Sequence, residues 1–142
     1  MENIHFFKED CVFDLRKLRR HKDWLYKLSM SYGYNIVQLN YIFCSDEYLH
    51  EINKQYLNHD TYTDIITFDL REKALADKLI ESDIFISIDR VLENSINLNV
   101  EFAHELSRVL AHGLLHLVGH NDKTEAQQKE MRLAEEKAIA VL

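Results

Sequence analysis

His112-Gly113-Leu114-Leu115-His116-Leu117-Val118-Gly119-His120-Asn121-Asp122 is the stretch that decides how this chain is built, because it reads as an apolar helix that carries two imidazoles and then has to stop. Residues four apart share one face of a helix, so His112 and His116 can aim at one ion. A straight continuation would put His120 about 12 Å beyond His112 along the axis, too far for bonds of about 2.0–2.1 Å to a common metal. The chain must therefore turn back, and Gly119 permits the turn because glycine enters left-handed conformations without steric cost. After the turn either His120 or Asp122 can return to the ion; Asp122 is the preferred third ligand.

The spacing His112-x3-His116-x2-Gly119-x2-Asp122 is similar to the long zinc motif of the metzincin peptidases. It resembles more closely the signature H-G-x-L-H-L-x-G-x-D-H of the YbeY family of bacterial endoribonucleases, which His112, Gly113, Leu115, His116, Leu117 and Gly119 fit. A second family segment, N-x-x-Y-R-x-x-D-x-P-T-D-V-L-S-F, resembles Asn53 to Phe68, with Asn53, Tyr56, Asp60, Thr63, Asp64 and Phe68 in place. A third, G-D-I-x-I-S, resembles Ser82 to Ser87. The chain also departs from the pattern. The third ligand histidine falls on Asp122, the arginine thought to matter for cleavage on Leu57, and the proline on Tyr62.

The resemblance implies one zinc ion, Zn(2+), per chain, held by His112, His116 and Asp122. It further implies a single-strand-specific, metal-dependent endoribonuclease that acts in ribosomal RNA processing, at the 3′ end of 16S ribosomal RNA, and in ribosome quality control. Its partners would be single-stranded RNA, ribosomal RNA and small ribosomal subunit proteins, with no membrane, in the cytoplasm.

The chemistry of the residues sharpens this. Three protein ligands leave a fourth vertex for water, whose pKa zinc lowers to about 7. Peptidases of the H-E-x-x-H type use the glutamate after the first histidine as general base. Here that position is Gly113, which cannot take a proton and which leaves room beside the metal for a bulky sugar-phosphate backbone. A phosphodiester is therefore favoured over a peptide. Arg108, one turn before His112, is the candidate for the phosphate-binding cation absent at position 57. Asp64 is a candidate partner of a ligand histidine or a turn cap, and His120, outside the ligand set, a candidate general acid. Two other readings stay open: a zinc metallopeptidase, and a non-catalytic ribosome-assembly factor with a structural metal. The latter would use both His120 and Asp122 in a closed four-ligand site.

Composition sets the frame. With 142 residues, 46% of them hydrophobic, the chain suffices for one domain with a real core and is too short for two. A net charge of −7 argues against a general nucleic-acid binder. Arg16, Lys17, Arg19, Arg20 and Lys22 nevertheless place five positive charges within seven residues with no acid among them, either an RNA contact or a solvated face. Cys11 and Cys44 lack any paired-cysteine motif and suit core thiols in a reducing compartment. No stretch is apolar enough for a membrane span, and Met1 to His5 carries no signal-peptide pattern. His5, His21, His50, His59 and His104 lack ligand spacing, although His59 lies in the family-like loop.

Hydrophobic periodicity predicts strands at Ile4 to Lys8, Asn35 to Cys44, Asp64 to Asp69 and Asp83 to Ile88. It predicts helices at Val12 to Tyr32, Ser45 to Tyr56, Asp89 to Leu98, Glu101 to Val118 and Thr124 to Val141. This is an α+β chain: residues 1–142 as one metal-dependent hydrolase domain, a small mixed sheet packed with helices, and a metal site at the end of a central helix.

Overall fold

Among the described residues, alternating apolar side chains give four strands: β1 (Ile4–Glu9), β2 (Asn35–Cys44), β3 (Ile65–Asp69) and β4 (Leu79–Ser87). A computed structural model describes residues 3–72 and 78–142, so Met1 and Glu2 lie outside it. The sheet order is β1-β2-β4-β3, with β1, β2 and β4 parallel and β3 antiparallel to β4. The helices are α1 (His21–Ser31), α2 (Asp46–Leu57), α3 (Ile88–Leu98), α4 (Phe102–Leu117) and α5 (Glu125–Ala140). The predicted single small α+β domain with a mixed sheet is what the chain forms. Among the described residues no helix is long and apolar enough to cross a membrane.

Two segments differ from the sequence reading. The helix expected over Val12 to Tyr32 is instead a single 3-10 turn, Leu15–Leu18, followed by α1. Asp14 caps that turn by accepting from the Arg16 N–H at 3.0 Å, and Arg16 and Arg20 would repel one helical turn apart. The fourth strand starts at Leu79, before the expected Asp83, and ends at Ser87, which caps α3. Ser82 disguises the alternation: it is buried, and its hydroxyl donates to the Phe68 carbonyl at 2.7 Å. Along β2 a register shift between Ile36 and Gln38 turns Ile36 inward alongside Leu39, Tyr41 and Phe43.

The main core lies between one face of the sheet and α4, where Leu39, Tyr41, Phe43, Ile84 and Ile86 meet Leu106, Val109, Leu110 and Leu114. A smaller cluster of Cys44, Leu49 and Ile66 gathers with Tyr48, Ile52, Phe68 and Phe85. Two hydrogen bonds lock the helices in place. Tyr41 donates its hydroxyl to the Leu110 carbonyl at 3.0 Å, and the Trp24 indole donates to the Ala138 carbonyl of α5 at 2.7 Å. Both cysteines are free thiols; Cys44 is buried, and burial pushes its pKa up to about 12.

Gly113 serves the helix–sheet contact and not a space beside a metal, as the sequence reading had it. A Cβ there would lie 3.0 Å from Ile84 Cδ1 and 3.1 Å from Ile65 Cδ1. The glycine lets α4 settle onto β3 and β4, which brings His112 and His116 close to the sheet. Gly113→Ala should be nearly neutral, because about 1 kcal/mol of helix propensity offsets crowding against flexible isoleucine ends. Gly113→Glu should cost roughly 3 kcal/mol or more, since overpacking and an unpaired buried carboxyl add together. Urea midpoints of the two variants measure the contrast, with an unchanged slope expected for the alanine.

Candidate metal centre

Helix α4 ends in a left-handed cap. Gly119 has a φ of +110°, its N–H donates to the His116 carbonyl at 3.3 Å, and the His120 N–H donates to the Leu115 carbonyl at 3.0 Å. These are the two closing bonds of a Schellman motif, which needs a residue tolerant of positive φ at its turn. Nothing lies within 4 Å of a Cβ built on Gly119, so glycine is required there for its backbone angle and not for space.

The turn brings Asp122 back, with its Oδ2 3.5 Å from His112 Nε2. Two bonds of about 2.0–2.1 Å meeting at a tetrahedral angle separate their donor atoms by about 3.4 Å, so this pair stands at ligating distance. His112, His116 and Asp122 line one pocket of about 630 Å³, together with Asp64, Leu57 and His59. His116 shares the pocket without closing on the pair, and among the described residues no three such side chains already converge on a point. A donor set of two borderline imidazoles and one hard carboxylate suits a divalent ion of the zinc class.

What holds this geometry was not foreseen from the sequence. Glu135 of α5 accepts from His112 Nδ1 at 2.7 Å, which leaves Nε2 facing Asp122. The contact raises the pKa of His112, with burial opposing and Asp122 assisting. Gln128 of α5 donates to the Asp122 carbonyl at 3.1 Å. The sequence did carry a signal for Glu135. It lies on the buried stripe of α5 with Met131 and Ala138, at positions i, i+4 and i+7, where a carboxylate is out of place unless paired.

Arg108 joins the same network and does not present a free guanidinium to the pocket. Its Nε and Nη2 donate to the two Glu105 carboxylate oxygens at 2.8 Å each, and Nη1 donates to Glu135 at 3.3 Å. Glu105 is only 1% exposed, so the arginine is what keeps that carboxylate in the interior. Asp64 lies 3.7 Å from Arg108 Nη2, and its backbone carbonyl accepts from the Ser87 N–H at 2.9 Å. Burial raises the pKa of the Asp64 carboxyl, while the charges of Arg108 and His112 oppose the rise. His120 is turned elsewhere. Its Nε2 lies 3.1 Å from the Tyr32 hydroxyl, its ring stands edge-on to that tyrosine, and it is not among the residues lining the pocket.

The loop between α2 and β3 forms the opposite wall. Asn53 donates to the Thr61 carbonyl at 2.8 Å, and His50 pairs with Asp60 at 2.7 Å. Tyr62 stacks on His50 with centroids 4.1 Å apart, lies under the Arg90 guanidinium, and donates to Glu47 at 2.9 Å. Side-chain contacts thus restrain the loop at the position where the resembling motif uses a proline. Leu57, at the motif's arginine position, offers that wall only an apolar surface. The basic run is not part of the pocket: Arg16 pairs with Asp14, and Lys22 lies over Phe6. Asp83 belongs to the sheet, where it accepts from the Asn40 amide at 3.0 Å.

A model of the family described as Endoribonuclease YbeY matches residues 4–142. The Endoribonuclease YbeY of Cytophaga hutchinsonii is 49% identical over 140 residues, covering 99% of this chain and 96% of its own length. That of Christiangramia forsetii is 48% identical over 138 residues, covering 97% and 93%. The solution structure of TM1509 from Thermotoga maritima superimposes with a TM-score of 0.71 at 28% identity, covering 96% of this chain and 86% of that one.

Proposed function

The chain belongs to the YbeY endoribonuclease family, and from that premise we propose that it is a metal-dependent, single-strand-specific endoribonuclease of ribosomal RNA. Maturation of the 16S 3′ end and ribosome quality control are the processes it serves in this reading, with small ribosomal subunit proteins as partners. His112, His116 and Asp122 would hold one zinc ion. The observation that carries the assignment is the 3.5 Å approach of His112 Nε2 to Asp122 Oδ2, with Glu135 occupying the other ring nitrogen.

When bound, the ion would supply positive charge beside the scissile phosphate and lower the pKa of a water. The protein's own groups do the rest. Glu135 fixes the ring of His112 and keeps its Nε2 lone pair pointed into the pocket. A proton competes with the metal for that nitrogen, so affinity weakens as pH falls. Arg108 acts as a positioning group through Glu105 and Glu135, holding α4 and α5 in register at the site, with Asp64 set against its guanidinium. The wall formed by Thr61, Thr63 and Leu57 receives the strand leaving the scissile phosphate.

Two rival readings lose support on specific grounds. A peptidase needs a base at position 113, and that position packs against Ile84 and Ile65. A closed structural site needs His120, whose ring is engaged with Tyr32. Zinc-loaded protein incubated with single-stranded RNA, duplex RNA and casein tests the proposal. Cleavage of the single strand alone, lost on chelation and restored by zinc, is the expected result; cleaved casein or intact single strands would overturn it.

A further inference from the structure

His112 and Asp122 form the wall between two cavities. Besides the pocket already described, they line a second cleft of about 540 Å³, bounded by the α3–α4 connection and α5. Helix α5 faces this cleft with Gln128, Arg132 and Glu135, at positions i, i+4 and i+7 of one stripe. The outer two are engaged with the proposed ligands: Gln128 holds the Asp122 carbonyl, and Glu135 holds the His112 ring. Arg132, between them, is exposed. Two carboxylates stand one turn away: Glu135 is already taken by Arg108 and His112, Glu136 makes no ion pair with Arg132, and among the described residues Arg132 has no ion-pair partner. Across the cleft, Leu98 is 60% exposed and Val100 37% exposed.

A free guanidinium beside a phosphodiester-cleaving centre, facing exposed apolar surface, is what one nucleotide requires. The fork of arginine matches two phosphate oxygens, and the apolar patch can receive a base. We infer that this cleft is a second nucleotide subsite of the nuclease, in which Arg132 binds the backbone phosphate next to the scissile one and Leu98 and Val100 support the base. The inference rests on the endoribonuclease reading above and extends it. It also accounts for Leu57. The cation absent from the loop wall is supplied from α5, on the other side of the His112–Asp122 pair, while Arg108 stays committed to carboxylates.

The test measures binding and not turnover. Fluorescence anisotropy of a short single-stranded RNA, carried out in chelator so that no strand is cut, is compared for wild type, Arg132→Ala, Arg132→Lys and Lys129→Ala across salt concentrations. Lys129 lies three residues before Arg132 on α5, lines only a small surface hollow with it, and controls for general charge. Arg132→Ala should weaken binding about ten-fold and reduce the log–log salt slope by about 0.7, the value for one phosphate contact on a single strand. Arg132→Lys should keep the slope and part of the affinity, and Lys129→Ala should match wild type. An unchanged Arg132→Ala, or a Lys129→Ala loss of equal size, overturns the subsite. A wild type that neither binds nor cuts RNA, with or without zinc, instead removes the nuclease reading beneath it.

Discussion

Glu135→Ala is expected to lower the stability of the metal-free protein by about 3–5 kcal/mol, the usual range for breaking one side of a buried charge pair. Glu135 is 4% exposed and meets two partners, the Arg108 guanidinium at 3.3 Å and the His112 ring at 2.7 Å. Its removal leaves His112 Nδ1 without an acceptor and leaves Arg108 with Glu105 and the more distant Asp64. Glu135→Gln keeps the volume and one acceptor oxygen, so it should cost about half as much or less. The second effect is on the metal. Losing the group that orients a ligand histidine typically reduces affinity by about 10–100-fold. Urea denaturation and zinc titration of both variants separate the two. An alanine variant as stable as wild type would show that the carboxylate is not holding the helices together.

His116→Ala should behave in the opposite way. His116 is exposed at the end of α4, and among the described residues its ring has no hydrogen-bond or ion-pair partner. Its removal should therefore change metal-free stability by no more than about 0.5 kcal/mol. RNA cleavage should nonetheless fall on the order of a thousand-fold, since a metal centre contributes several kcal/mol of transition-state stabilisation. The thermal midpoint of wild type should rise with added zinc, and that of the variant should not. An active His116→Ala enzyme, or one with an undiminished zinc response, would mean that the ion sits elsewhere.

The difference between these two variants follows the boundary between what the sequence reveals and what it does not. His112, His116 and Gly119 lie within one helix and its cap, where spacing alone dictates geometry. The turn at Gly119 and the return of Asp122 could be read because a straight helix cannot bring a third donor back. Glu135 meets His112 across 23 positions, and no local rule places α5 against that face of α4. Only its location on an apolar stripe hints that a partner is waiting.

The same limit explains the misjudged segments. Ser82 breaks the apolar alternation of β4 in the sequence, yet its hydroxyl is satisfied inside by the Phe68 carbonyl. The stretch from Val12 to Leu18 carries leucines at helical spacing, but Asp14 caps a single 3-10 turn and the following arginines crowd one face. Gly113 has no side chain that could act as a base. The reason a glycine stands there, contact with Ile84 and Ile65, needed the sheet to be in place. Arg108 looked free to meet a phosphate because the spacing places it above His112; what spacing could not give was the engagement of its guanidinium by Glu105 and Glu135.

One measurement bears most directly on the centre itself: X-ray absorption at the zinc edge of the stoichiometrically loaded protein, compared with Asp122→Ala. A shell of two imidazole nitrogens and one carboxylate oxygen completed by solvent, with the carboxylate contribution lost in the variant, is the predicted result. A third imidazole in the shell, an unchanged shell in Asp122→Ala, or failure to take up one ion per chain would contradict it.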